Sequence, residues 1–185
     1  MVTSATKNAT AGSIDYTVAK NTSGARDGWI KVKYGTEDPY TITVSQLTGV
    51  SGGTVVFTPS SKSAVTVTGD KTGITASYSN TYSSANQITK GNSCTLTITG
   101  LGGKTITGIS INARNNASSG SGTLEIQTGS TDIIDSYTLT RLGGSYTDIP
   151  LTVVSGDVAD NATVVMTISC TANSTFFGSL SITYE

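Results

Sequence analysis

The chain has 185 residues, enough for a domain of ordinary size and a second small one. Only 12% of residues are charged and the net charge is −1, which excludes the basic footprint of a nucleic-acid binder and the polybasic patch of a membrane-surface protein. Gly numbers 21 and Pro only 3, against a background rich in Thr, Ser, Val and Ile, so many short strands joined by tight turns are expected: an all-β protein.

No apolar run approaches the roughly 18 residues that a membrane helix needs, and membrane insertion is not expected. The first residues, MVTSATKNAT, lack a basic start and an apolar signal core. Such a start suits the mature part of an exported protein, or a protein made and assembled in the cytoplasm.

The first predicted strands lie between Ile14 and Gln46. Apolar residues alternate with polar ones at Ile14, Tyr16 and Val18, at Ile30, Val32 and Tyr34, and at Tyr40, Ile42 and Val44. Alternate residues leave the same face of a strand, so each set reads as the buried side of a half-exposed strand. Turn residues separate the sets at 21–28 and 35–39. The combination of Ile14, Tyr16 and Val18, then Asn21-Thr22, then Arg26-x-Gly28-x-Ile30-x-Val32, then Ile42-x-Val44-x-Gln46 resembles the C-terminal half of a BACON domain. That family is an immunoglobulin-like module of gut Bacteroidetes surface proteins and of their phages, including crAss-like phages. The resemblance covers residues 13–47, about a quarter of the 185. The family's first strands have no counterpart before Met1, so the resemblance implies a sheet that is cut short or completed from elsewhere.

Residues Leu47 to Gly53, LTGVSGG, mark a flexible joint, with the linker placed at 48–53 between a module at 1–47 and a second at 54–185. In the second module strands are predicted at 54–58, 64–68, 73–79, 93–99, 105–114, 122–128, 134–141, 148–154, 162–171 and 179–184. Within 105–114 the apolar parity slips: Ile106 belongs to one face and Ile109 and Ile111 to the other, with Gly108 at the slip, as at a β-bulge. This many strands fit a β-sandwich or jelly roll. Val164, Met166, Ile168 and Cys170, with Cys94, Leu96 and Ile98, are the expected core, and the strand Leu180, Ile182, Tyr184 is expected at or near a sheet edge.

No histidine is present, which excludes Ser-His and Cys-His catalysis and the commonest proton shuttle. GLGGKT, Gly100 to Thr105, has strands on both sides and Ile98 where a phosphate-binding loop needs Gly, so it reads as a hairpin turn. Of the 12 acidic residues, Asp132 with Asp135 and Asp157 with Asp160 form the close pairs of the second module. Each sits where Asp serves turn hydrogen bonds, and no catalytic residue is assigned. In GDVADN, Asp157, Asp160 and Asn161 offer oxygen ligands for a structural calcium, or form a solvated turn. No other cofactor is expected. Cys94 and Cys170 are either two buried thiols or one disulfide between facing strands.

Aromatic side chains beside amides are the candidates for stacking on sugar rings or for partner binding. Trp29 points away from Ile30 and Val32, and serves either as a sugar platform or beneath the neighbouring module or another subunit. Phe176 and Phe177 are adjacent, so in a strand one faces outward. Tyr78 and Tyr82 stand in SYSNTYSSANQ with Asn80, Asn86 and Gln87 as hydrogen-bonding partners.

The expected architecture is thus a partial Ig-like, BACON-like sheet module followed by a jelly-roll-like β-sandwich, without enzymatic activity. The BACON-like strands, the start at Met1 without a signal and a half-domain with too few strands to stand alone together lead to the expectation of a Bacteroidetes phage virion component, a capsid decoration or head-fibre protein at the virion surface. Its partners would be other virion proteins or identical subunits, joined by strand-edge or face packing. The other setting, which the resemblance by itself implies, is a carbohydrate-binding fragment of a secreted or surface glycan-utilisation protein, adhering to cell-surface or mucin glycans.

Overall fold

The computed structural model describes residues 2–8, 13–18, 26–32, 36, 38–46, 52–116 and 119–185. The chain divides into two compact units, Met1–Gly52 and Gly53–Glu185. Most of the expected linker, 48–51, lies outside the described residues, as do Asn21, Thr22 and Tyr34.

The first unit contains two antiparallel hairpins. One pairs β1 (Val2–Asn8) with β2 (Ser13–Val18), and the other pairs β3 (Arg26–Val32) with β4 (Tyr40–Gln46). Strands β2 to β4 fall where apolar alternation placed them, whereas β1, in the polar run VTSATKN, carried no such signal. Ile30 lies opposite Ile42 and Val32 opposite Tyr40, so the expected shared face exists. It is partly covered: Ile30, Val32 and Val44 are half-buried, while Ile42 and Tyr40 are exposed.

The second unit begins with β5 (Gly53–Ser61), β6 (Ala64–Gly69), β7 (Thr75–Asn80), β8 (Gln87–Thr89), β9 (Ser93–Thr99) and β10 (Ile106–Asn115). It continues with β11 (Ser121–Thr128), β12 (Thr131–Asp132), β13 (Tyr137–Thr140), β14 (Thr147–Leu151), β15 (Val164–Ala172) and β16 (Ser174–Tyr184). One sheet runs β14-β10-β16-β5-β6, with β8 added against β16. The other runs β12-β11-β15-β9-β7, with β13 also on β11. Every pairing is antiparallel. Taking β5, β9, β10, β11, β13, β14, β15 and β16 as eight successive strands, the first, eighth, third and sixth form one sheet and the second, seventh, fourth and fifth the other. That is the order of a jelly roll, and β6, β7 and β8 are an insertion after its first strand.

The core lies between the sheets. Phe57, Ile111, Leu180 and Ile182 from one meet Leu96, Ile98, Leu124, Ile126, Met166 and Ile168 from the other, all fully buried. Each such side chain contributes about 1.5–3 kcal/mol of burial. The parity slip at Gly108 is a bulge: the pairing with β16 skips Thr107, so Ile106, Ile109 and Ile111 all turn inward despite their unequal spacing.

One expectation is overturned. The strand carrying Leu180, Ile182 and Tyr184 is central, paired with β10 on one side and β5 on the other. It also begins earlier, at Ser174, because a second bulge between Asn112 and Ala113, at Gly178, changes the inward parity of β16. Its outward positions Ser179 and Ser181 are small, as suits a strand with neighbours on both sides.

Candidate functional site

The loop Thr81–Asn86, with its Ser and Asn residues, is organised from below rather than open to a ligand. Tyr78 and Asn80 lie two apart at the end of β7 and both point inward, 4% and 7% exposed. The Tyr78 hydroxyl donates to the Ala85 carbonyl at 2.8 Å. Asn80 Nδ2 donates to the carbonyls of Ser84 at 3.1 Å and Gln87 at 2.9 Å, and Asn80 Oδ1 accepts from the Tyr82 amide at 3.0 Å. One amide side chain therefore closes the loop at three points. Burial raises the Tyr78 phenol above its ordinary pKa and pushes the Cys94 thiol up from 9.0 to about 12. Tyr78, Asn80 and Phe177 are consequently core and loop-anchoring residues, a correction to the surface role the local composition suggested. The Tyr78 and Phe177 rings meet at 6.1 Å between centroids.

Gln87 spends its side chain on Ser174 Oγ at 3.2 Å, and Tyr82 is half-buried. Asn86 alone of that set reaches outward to a further site, donating through Nδ2 to the Tyr146 hydroxyl at 2.7 Å.

That contact marks a patch on the outer face of the β14-β10-β16-β5-β6 sheet. In β10 the inward residues are Ile109, Ile111 and Ala113, so Ser110, Asn112 and Arg114 face out. Arg114 lies opposite Phe176 on β16, and Tyr146 directly precedes β14 on the other side. The Arg114 guanidinium carbon lies 3.5 Å from the centre of the Phe176 ring and 5.2 Å from that of Tyr146. Such cation–π contacts are worth about 0.5–2 kcal/mol each. Phe176 faces outward, as one of two adjacent residues must, yet it is 9% exposed. Tyr146 is 39% exposed.

Gly178 makes room for this arrangement: an added Cβ would lie 3.0 Å from Tyr146 Cδ1 and 2.4 Å from Asn112 Oδ1. One step along the sheet Asn112 Nδ2 donates to Asp148 Oδ1 at 2.6 Å. Sequence reasoning found Phe176 and Asn86 but missed Arg114 and Tyr146. For Arg114 the signal was present, since it shares parity with Ser110 and Asn112 on a strand whose other face is apolar. Tyr146 carried none, because the register that sets it beside Arg114 is not written in either strand.

The remaining candidates lie apart. Asp157 Oδ1 accepts from Thr105 Oγ1 at 2.8 Å, and Asn161 holds a left-handed turn at φ 60°. These are turn-forming roles, and among the described residues no group of three or more His, Cys, Asp or Glu side chains is placed to hold a metal. Cys94 and Cys170 are both free and buried, which corrects the disulfide alternative. They sit on adjacent strands of one sheet, Cys94 opposite Ile168 and Cys170 two residues further along, so they are diagonal neighbours rather than a facing pair. In the first unit Trp29 points away from Ile30 and Val32 as expected, 63% exposed, with the Lys31 ammonium 4.8 Å from its ring.

The fold thus defines the second unit as an antiparallel jelly-roll sandwich with a polar and aromatic outer face. Compared with protein-family models, curated proteins and solved structures, the chain finds no match.

Proposed function

We propose that this is a non-enzymatic structural and interaction protein, a capsid-decoration or head-fibre component at the virion surface of a Bacteroidetes phage. The observation that carries the reading is the β3–β4 hairpin. It leaves Trp29 63% exposed on one face and Tyr40 73% and Ile42 40% exposed on the other. A unit of this size, Met1–Gly52, gains little from its own core, and large apolar groups left in water on both sides are suited to burial against a partner. Identical subunits or other virion proteins would supply that partner by face packing or by adding a strand to the hairpin edge. The BACON-like sequence supports the setting, and jelly rolls are common in capsid proteins.

Trp29 is the chain's single tryptophan, so its emission reports this surface without interference. Light scattering with fluorescence across a concentration series should show self-association and a blue shift of emission, both weakened by Trp29→Ala. A folded monomer with water-exposed Trp29 at every concentration, and with no binding to virions from which it is absent, would overturn the reading.

A second reading, carbohydrate binding in a surface or secreted glycan-utilisation protein, draws on a different observation: the outward cluster of Tyr146, Arg114, Asn112, Asp148 and Asn86. A partly exposed ring beside amides and a carboxylate is the combination that sugar recognition uses. Binding on a glycan array that Tyr146→Ala removes would favour it.

A further inference from the structure

We infer that the outer-face patch takes an acidic sugar, a pyranose bearing a carboxylate or sulfate, and that Arg114 reads the acid group. This rests on the carbohydrate-binding reading and specifies its ligand.

Arg114 is held in an unusual state for a surface cation. Phe176 lies against its guanidinium at 3.5 Å and Tyr146 stands at 5.2 Å, yet among the described residues the Arg114 side chain makes no hydrogen bond or ion pair. At 3.5 Å the Phe176 ring can only lie against a face of the guanidinium, which leaves the in-plane N–H donors unused. Those donors form the fork that meets two oxygens of a carboxylate or sulfate side by side. The usual cost of ordering an arginine side chain on binding is already met by the two rings.

The slot is built rather than incidental. Gly178, at a bulge in β16, leaves the space that Tyr146 occupies, and Asn86 fixes the Tyr146 hydroxyl at 2.7 Å. Beside the slot, Asn112 and Asp148 form a second polar centre, joined at 2.6 Å. Arg114 and Asn112 are two residues apart on one strand, about 7 Å, which matches the reach from a sugar's acid substituent to its ring hydroxyls. Asp148 accepts hydrogen bonds from hydroxyls but repels a second anion, so the patch suits one acid group with neutral hydroxyls next to it. A densely charged polyanion meets repulsion there.

The test uses the whole chain and a matched set of probes: a glucuronate-containing disaccharide, its neutral methyl ester, and the corresponding sulfated disaccharide. Calorimetry should show the glucuronate or the sulfated sugar binding about tenfold or more tightly than the ester, with the preference shrinking as salt rises. Whichever acid binds more tightly names the source of the charge. Arg114→Gln should abolish the acid-over-ester ratio. A role limited to covering Phe176 would shift the melting temperature and leave that ratio unchanged.

Equal binding of acid and ester, lost in Tyr146→Ala, overturns the acidic preference and leaves the carbohydrate reading standing. Binding of none of the probes, with a glycan array also blank, overturns both. Should Arg114→Gln fail to fold, the Arg114 side-chain N–H resonance of the unaltered protein decides: it should shift on addition of the glucuronate or the sulfated probe and stay put with the ester, and a resonance moved by neither acid overturns the inference.

Discussion

Replacing Asn80 with Ala tests whether one buried amide organises the 81–86 loop. The substitution removes three hydrogen bonds, to the Ser84 and Gln87 carbonyls and from the Tyr82 amide. At about 0.5–1.5 kcal/mol net each, their sum lies near 3 kcal/mol. Ser84, Gln87 and Tyr82 are only half-buried, so water recovers part of this, and the expected loss is about 2 kcal/mol. In a unit of this size, Gly53–Glu185, that corresponds to a fall in melting temperature of about 7 °C. Urea denaturation measures the loss, and amide exchange locates it: the Tyr82 N–H should exchange about tenfold faster or more.

Asn80→Asp sharpens the test. It keeps the Oδ1 acceptor but sets a carboxylate against two carbonyl oxygens, so at neutral pH it should be worse than Ala. Burial and those carbonyls raise its folded pKa above the unfolded value of about 3.9, so it is best tolerated below that pH, and stability falls as pH rises through the folded value. A change under about 0.5 kcal/mol in Asn80→Ala with unchanged Tyr82 exchange would mean that Asn80 does not hold the loop, since the loss of three hydrogen bonds of a buried amide costs more than that.

Alkaline pH should weaken the sandwich. Cys94 is raised from 9.0 to about 12 and Tyr78 is raised from 10.0, both by burial. Below pH 9 each is neutral whether folded or unfolded and their contribution is complete. Between pH 9 and 12 the unfolded chain gives up protons the folded one keeps, so stability falls by up to about 1.4 kcal/mol per pH unit from Cys94, and more steeply above 10 as Tyr78 joins. Urea midpoints at pH 8, 9.5 and 10.5 should show this, and Cys94→Ala should flatten the first part of the slope; an unaltered slope in that variant would remove Cys94 from the account. Two glycines should behave oppositely. Gly100→Ala meets the Gly73 carbonyl oxygen at 2.0 Å at φ 83° and should cost several kcal/mol, about 3 or more. Gly108→Ala meets only the Thr183 side chain, Cβ at 3.6 Å and Oγ1 at 3.8 Å, ordinary contacts, and melting temperatures of the two variants check the contrast. Equal losses would mean that the bulge needs glycine for a reason other than space.

Much of the fold was legible because alternation is a local property. The strands around Cys94, Leu96 and Ile98 and around Val164, Met166 and Ile168 follow from it, and even the bulge at Gly108 announced itself as a parity break. What failed was position within the sheet. Strand β16 shows the same alternation as any other, and nothing in Leu180, Ile182 and Tyr184 says that two neighbours flank it. The site failed for a related reason. Composition marked 77–87 as an exposed polar loop, whereas the alternation Ile74, Ala76, Tyr78, Asn80 carries the last two inward, and a buried amide looks the same in sequence as an exposed one. Phe176 was correctly read as a choice between faces. Its cover, Arg114, comes from a strand about 60 residues earlier in the chain.

The central place of β16 also sets an order of events during synthesis. Strand β5 is among the first parts of the second unit to leave the ribosome, yet its flank opposite β6 stays open until Leu180 and Ile182 are translated. Strand β10 waits for the same residues on one side. Closure by such distant pairing is slow, and the half-built sheet offers an unpaired edge to any nascent neighbour on the same messenger. Ribosomes spaced closely on the transcript would therefore favour tangled products, and slower initiation should raise the yield of correctly closed protein.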